Sequence, residues 1–113
     1  MQKDDPPNSL IAFAPRAKDF EKRIRTLAAV TKNVRWSQHA LDRMAERDIT
    51  IRVALNVLRE GMVVGNVEPG KGVGEWKAKI VHNVKGRRDV GVIAVLVKSN
   101  RINVSTVEWE DLK

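Results

Sequence analysis

The spacing of the apolar residues changes at Gly61, and this change constrains the fold more than any other feature of the sequence. Before Gly61, apolar residues recur at helical spacing, as Phe20, Ile24 and Leu27 do. After it, valine-rich runs alternate with segments rich in Gly, Lys and Asn that are typical of turns. Helices followed by strands are typical of an α+β domain, in which the helices cover one face of a sheet.

The two halves predict the individual elements. Helices are expected over residues 16–30, 38–48 and 51–60. Ser37 and Thr50 are suitable N-caps for the second and third helices. Strands are expected over residues 62–68, 75–83, 89–97 and 101–109, and their short connections indicate an antiparallel meander. We therefore predict an α+β fold with two to three N-terminal helices packed on one face of a four-stranded antiparallel sheet.

Length and composition limit the domain organisation and the location. Residues 1–14, with paired Asp and paired Pro, predict a flexible N-terminal tail, and residues 15–113 a single α+β domain. The absence of Cys excludes disulfides and thiolate metal sites. The first residues lack the pattern of a secretory leader, and the apolar run over residues 90–97 is too short to cross a membrane. We expect a cytoplasmic protein with no membrane partner.

The chain is strongly basic. Its formal net charge is +7, and residues 71–88 hold six Lys and Arg against one Glu. Such a charge favours a polyanionic partner such as RNA, although a solvated basic hairpin has the same composition. The candidate nucleic-acid-binding residues in this segment are Lys77, Lys79, Lys85, Arg87 and Arg88.

The second predicted helix carries a polar stripe. His39, Arg43 and Arg47 are spaced four residues apart, and the apolar face is expected to centre near Leu41 and Met44. Arg can bind two phosphate oxygens at once, and His can exchange a proton near neutral pH. The stripe therefore predicts phosphate binding, or else a solvated face whose arginines pair with neighbouring acids.

The stripe is part of a longer pattern that carries a resemblance to a known family. The pattern comprises Ser37, His39, Ala40, Arg43, Met44, Arg47 and Ile49, then a helix that ends near Gly61, then a last strand reading VSTVEW with Thr106 at its centre. It resembles a family of small domains of unknown function associated with toxin–antitoxin loci, and is similar in layout to the RelE-like part of the barnase–EndoU–colicin–RelE ribonuclease group. The resemblance covers about residues 34–109.

The resemblance implies metal-independent cleavage of RNA, a reaction that needs acid–base groups and cations but no cofactor. His39 is then the candidate acid or base, and Arg43 and Arg47 are the candidate phosphate-binding residues. Thr106 matches a position of the last strand and joins the nucleic-acid-binding candidates. The resemblance also implies a protein partner such as a cognate antitoxin. The first helix lies outside it and is open to interpretation as an addition, an interaction helix or part of a homodimer.

His82 and Trp76 have two interpretations each. Strand parity places both on the covered face of the sheet, where His82 is either a core residue or a second proton carrier. Trp76 either packs in the core or stacks on a base.

Two alternatives to the toxin ribonuclease remain. Glu75 and Lys77 have the E-x-K form of metal-dependent nucleases, with Glu68 on the preceding strand. The other alternative is a non-catalytic nucleic-acid-binding or protein-interaction module, an inhibitor or accessory protein on the same scaffold.

Overall fold

A computed structural model describes residues 14–85 and 88–110, which form an α+β fold with three helices and a five-stranded mixed sheet. The helices are α1 (Ala17–Ala28), α2 (Gln38–Arg47) and α3 (Ile51–Glu60). The strands are β1 (Val34–Trp36), β2 (Met62–Pro69), β3 (Trp76–Lys85), β4 (Arg88–Val97) and β5 (Arg101–Trp109). The predicted tail, residues 1–14, lies outside the described residues except for Ala14.

The sheet has the strand order β1-β5-β4-β3-β2. Strands β2 to β5 form the predicted antiparallel meander, and β1 adds a parallel strand beside β5, with Val34 opposite Ile102. The prediction of a four-stranded antiparallel sheet was therefore wrong at this edge. Three residues are too few to show the alternation that identifies a strand. Tertiary contacts hold β1 in place, because Ser37 donates from its N–H to Val104 O (3.0 Å) and from its hydroxyl to Ser105 O (3.1 Å).

One face of the sheet is covered by helices, and the other is not. The covered face carries small and branched residues that are fully or almost fully buried: Ala78, Ile80, Val92, Ala94, Val104 and Val107. Side chains from all three helices complete the core, among them Phe20, Ile24, Met44 and Leu58. The opposite face, here called the open face, carries a row across four strands of which no member is buried: Val64, Lys79, Ile93 and Thr106.

Helix α2 is rotated relative to the prediction. Its buried residues are Ala40 and Met44, whereas Leu41 is only partly buried. The predicted centre near Leu41 and Met44 is therefore displaced by about 50° from the observed one, which lies between Ala40 and Met44. The rotation moves Arg47 to within about 40° of the buried direction and leaves His39 on the exposed side.

A buried carboxylate joins α1 to the edge of the sheet. Glu21 is 5% exposed, and its Oε1 accepts a hydrogen bond of 2.9 Å from the main-chain N–H of Val63 in edge strand β2. Its Oε2 lies 3.3 Å from Nη2 of Arg25 and 3.6 Å from Nζ of Lys18. The carboxylate therefore satisfies a main-chain donor at an edge strand, where N–H groups otherwise lack partners.

Among the described residues, no helix is long and apolar enough to span a membrane.

Candidate nucleic-acid interface

A groove lies where the turn between α2 and α3 meets the β3–β4 hairpin and the end of β5. Its volume is about 360 Å³. It is lined by Arg47, Asp48, Ile49, Thr50, Val53, Val84, Arg88 and Trp109, and we call it the Trp109 groove. A second space of about 290 Å³, the α3 groove, is lined by Arg52, Val53, Asn56, Arg59 and Val84. Because Val53 and Val84 line both, the two spaces are neighbours, and together they form the cationic groove.

The turn between α2 and α3 positions the first side of this groove. Asp48 adopts the left-handed conformation (φ 57°), which Asp tolerates better than most residues. The chain reverses there, and the N–H of Ile49 donates to Met44 O (2.9 Å). Thr50 then caps α3 by accepting from the N–H of Val53 (3.1 Å). This short connection places Arg47, at the end of α2, beside the first turn of α3.

Trp109 joins three elements at the same place. Its Nε1–H donates to the main-chain oxygen of Arg47 (2.9 Å), a carbonyl at the C-terminus of α2 that has no partner within the helix. The guanidinium carbon of Arg88 lies 3.9 Å from the centroid of the indole ring, which is the geometry of a cation–π contact. Trp109 therefore fixes α2, β4 and β5 relative to one another and brings two arginines into one groove.

Arg47 is only partly neutralised by its neighbours. Nη1 of Arg43 lies 2.9 Å from the Glu46 carboxylate, and Nη1 of Arg47 lies 3.6 Å from the same oxygen. The carboxylate of Glu46 thus interacts with two guanidinium groups. Nη1 of Arg47 is out of contact with solvent and has no hydrogen-bond acceptor among the residues that the structure describes. The charges of Arg43, Glu46, Arg47 and Asp48 sum to zero, so the attraction for an external anion comes from the cationic groove as a whole, where four arginines outnumber one aspartate.

The structure separates the residues of the predicted stripe. Arg47 lines the Trp109 groove, whereas His39 is exposed and belongs to the lining of neither groove. Arg43 stays close to Arg47 through Glu46 but does not line the groove either. Of the three, Arg47 alone contributes to the cationic groove.

The predicted basic track along β3 lies on a different face. Lys77, Lys79 and Thr106 are on the open face, opposite the helices. Nζ of Lys79 lies 2.9 Å from Glu110 and 3.5 Å from Glu108. The hydrogen bond to Glu110 raises the pKa of Lys79, against the opposing effect of burial. Lys79 is therefore held by two carboxylates.

The remaining predicted basic residues lie in three different places. Lys77, on the open face, is paired in register with Glu68. Arg88 lines the Trp109 groove. Arg87 and the side chain of Lys85 lie outside the described residues.

His82 and Trp76 are on the covered face, as strand parity predicted. His82 is opposite Val90, which in turn is opposite Trp109, so it lies two strands from the tryptophan. Its imidazole is half-buried and makes no hydrogen bond to the residues that the structure describes. Trp76 is partly buried and packs against the core. Of the two interpretations of Trp76, its position agrees with packing in the core.

The residues of the E-x-K pattern lie in different settings. Glu75 folds back on the β2–β3 turn, where its Oε1 accepts from the N–H of Gly72 (3.0 Å). Glu68 lies in β2 opposite Lys77. Within residues 14–85 and 88–110, no three His, Asp or Glu side chains are grouped as metal ligands would be. The described geometry gives Glu75 a structural role in the turn.

Among the residues of the cationic groove that the sequence did not identify are three polar side chains of α3. Arg52, Asn56 and Arg59 follow one another at helical spacing on α3, a signal visible in the sequence. Arg59 is partly structural, because its Nε donates to Ala28 O (2.7 Å). Arg52 is exposed, and its side chain makes no hydrogen bond or ion pair within the described part of the chain. Trp109 ends the VSTVEW run of the last strand, but nothing in the sequence assigned it to a groove.

Fold and groove together define a small α+β protein with four arginines and one aspartate around a tryptophan-lined cleft. Comparison with models of protein families, with curated proteins and with solved structures found no match.

Proposed function

We propose that this protein binds RNA in the cationic groove. The observation that carries the proposal is that Arg47 and Arg88, beside Trp109, and Arg52 and Arg59 line two adjoining spaces that share Val53 and Val84. Arginine donates to phosphate oxygens in a planar geometry, and an aromatic ring nearby can stack on a base. A groove with these two components suits a nucleic-acid strand better than an isolated small anion.

The charge of the whole chain supports the same ligand. The formal net charge of +7 attracts a polyanion at long range, and the groove determines where the polyanion is held. Acidic side chains neutralise the open face at Lys79, whereas Asp48 is the one carboxylate among the residues that line the described cationic groove. The groove is therefore the more favourable place for phosphate.

RNA affinity measured as a function of salt tests this proposal. Fluorescence anisotropy with a labelled single-stranded decamer should give a linear fall of log affinity with log salt. Arg52→Gln should weaken binding and lower the slope by about 0.7, the value for one lost contact to single-stranded phosphate. The matched control is Lys22→Gln, which removes one exposed cation from α1. Equal losses in the two variants would show that binding follows net charge and that the groove is not the site.

A second candidate function is cleavage of the bound RNA, as the resemblance to the RelE-like ribonucleases implies. One observation favours it: the Asp48 carboxylate lines the same groove as Arg47 and Arg88. A carboxylate can take the 2′-hydroxyl proton as the 2′-oxygen bonds to phosphorus, while the guanidinium groups stabilise the charge on the phosphorane. The bond from phosphorus to the 5′-oxygen then breaks, and the departing oxygen takes a proton from the carboxylic acid or from water. His39, the acid–base residue expected from the sequence, lines neither space of the cationic groove and is the alternative assignment, which mutation separates from Asp48.

Incubation of the purified protein with mixed RNA in EDTA tests for cleavage. Cyclic phosphate or 3′-phosphate ends would support it. Asp48→Asn should then abolish cleavage and keep RNA affinity, since Asn also tolerates the left-handed conformation. His39→Gln should have the same effect if His39 transfers the proton. Intact RNA after long incubation would leave a binding protein without this activity.

A further inference from the structure

We propose that the Trp109 groove admits one unpaired nucleotide, so that the protein prefers single-stranded RNA. In this arrangement the base packs against Val53, Val84 and the Trp109–Arg88 pair, and the phosphate lies between Arg47 and Arg88. This inference rests on the proposed function, because it takes RNA as the ligand.

The size of the Trp109 groove matches a single nucleotide. Sites for small organic molecules have volumes of about 300–1,000 Å³, and this groove, at about 360 Å³, is at the lower end of that range. A base pair held in a helix cannot enter a cleft of this size without leaving its stack. The occupant is therefore a nucleotide that is already unpaired.

The walls of the groove provide an apolar side for a base. Val53 and Val84 line it and are only partly buried, so their side chains are accessible. Trp109 lines the same groove, with the guanidinium carbon of Arg88 3.9 Å from its ring centroid. Unpaired bases stack on aromatic rings and on arginine guanidinium planes. Apolar walls of this kind would add nothing to the binding of phosphate alone.

The polar lining provides the phosphate and base-edge contacts. Arg47, whose side chain is 30% exposed, lines the groove together with Arg88, so two guanidinium groups can donate to a phosphate there. Asp48 repels phosphate but can accept a hydrogen bond from the amino group of a base. From this groove the strand continues over the α3 groove, where Arg52 meets the next phosphates.

The first test compares three probes against the unaltered protein at one salt concentration. They are a labelled RNA decamer, a decamer of abasic ribose-phosphate units with the same charge, and a ten-residue polyglutamate peptide. We expect the abasic decamer to bind about tenfold more weakly than RNA, since stacking of one base contributes a factor of that order. Equal affinity for the first two would overturn the proposal and leave RNA binding intact. Peptide binding as tight as RNA binding would indicate an acidic protein partner instead.

The second test fills the groove without changing its charge. Val53→Phe should lower the affinity for the single-stranded decamer about tenfold and leave the affinity for a duplex of the same length unchanged. The matched control is Val73→Phe in the β2–β3 turn, where Val73 is exposed. A Val53→Phe protein that keeps its single-strand affinity would refute base insertion. Failure of wild-type protein to bind either RNA would instead refute the proposed function itself.

Discussion

Replacing Glu21 tests how the edge of the sheet is held. Its carboxylate accepts the Val63 N–H at 2.9 Å and lies near the cations of Arg25 and Lys18. Glu21→Ala removes all three interactions and leaves a main-chain donor of the edge strand without its acceptor. Glu21→Gln keeps an oxygen acceptor for Val63 and removes only the charge. The two variants therefore separate the hydrogen bond from the ion pairs.

The expected loss in the free energy of unfolding depends on how exposed each partner of Glu21 is. A hydrogen bond to a charged group contributes about 1.5–3 kcal/mol, and this term applies to the contact with Val63. The side chains of Arg25 and Lys18 are 44% and 75% exposed, so each ion pair is screened and contributes less than about 1 kcal/mol. We expect Glu21→Ala to lower the free energy of unfolding by about 2–3 kcal/mol, and Glu21→Gln by about 1 kcal/mol.

Urea unfolding followed by circular dichroism measures both values. The matched control is Lys22→Ala on the next position of α1, an exposed residue for which the change should stay within about 0.5 kcal/mol. A loss below about 0.5 kcal/mol for Glu21→Ala would refute the reasoning, because the N–H of Val63 would then have no need of the carboxylate. A Glu21→Gln loss equal to that of Glu21→Ala would mean that the charge, and not the acceptor, stabilises the edge.

Three further predictions concern α2 and the open face. Met44→Ala should cost about 2–5 kcal/mol in urea unfolding, and Leu41→Ala clearly less because Leu41 is only partly buried; equal losses would contradict the observed rotation of the helix. The pKa of Lys79 is raised above its ordinary value of 10.5 by its bond to Glu110, so the stability that its charge contributes is complete below about pH 10.5 and is lost as pH rises through the raised pKa. Unfolding of wild type and Lys79→Gln across that range should converge, and a constant difference would contradict it. His39→Gln should leave stability within about 0.5 kcal/mol and RNA affinity unchanged, as titration by anisotropy would show.

The elements of the fold were predictable because each has a strong local signal. Helix α3 begins and ends where Thr50 and Gly61 predicted, and the strands follow the valine-rich runs. Strand β1 had no such signal, since its pairing with β5 depends on residues far along the chain. Because β1 is short, it pairs only with residues 102–104 of β5. Helix α2, which follows β1 directly, also packs against β5.

This packing explains why the site was only partly predictable. The apolar residues of α2, Ala40, Leu41, Met44 and Ala45, cover a broad arc, so the sequence left the rotation of the helix undetermined. Contact with β5 selects the Ala40–Met44 side and brings Arg47 beside Trp109. Arg47 and Arg88 were identified by residue type and charge. Their common groove depends on tertiary packing that neither helical nor strand periodicity encodes.

The hydrogen bond from Trp109 to Arg47 joins residues that are 62 positions apart, and that from Ser37 to Ser105 spans 68. Closing loops of this length costs entropy before any contact forms, so we expect these pairings to form late in folding. Synthesis proceeds in the same direction, because the ribosome adds α2, α3 and Arg88 before Trp109. A nascent chain that ends before Trp109 contains Arg47 and Arg88 but lacks the indole ring that contacts both. The Trp109 groove is therefore complete only after β5 has been made and has docked, so under the proposed function a growing chain would not hold RNA in this cleft during its own translation.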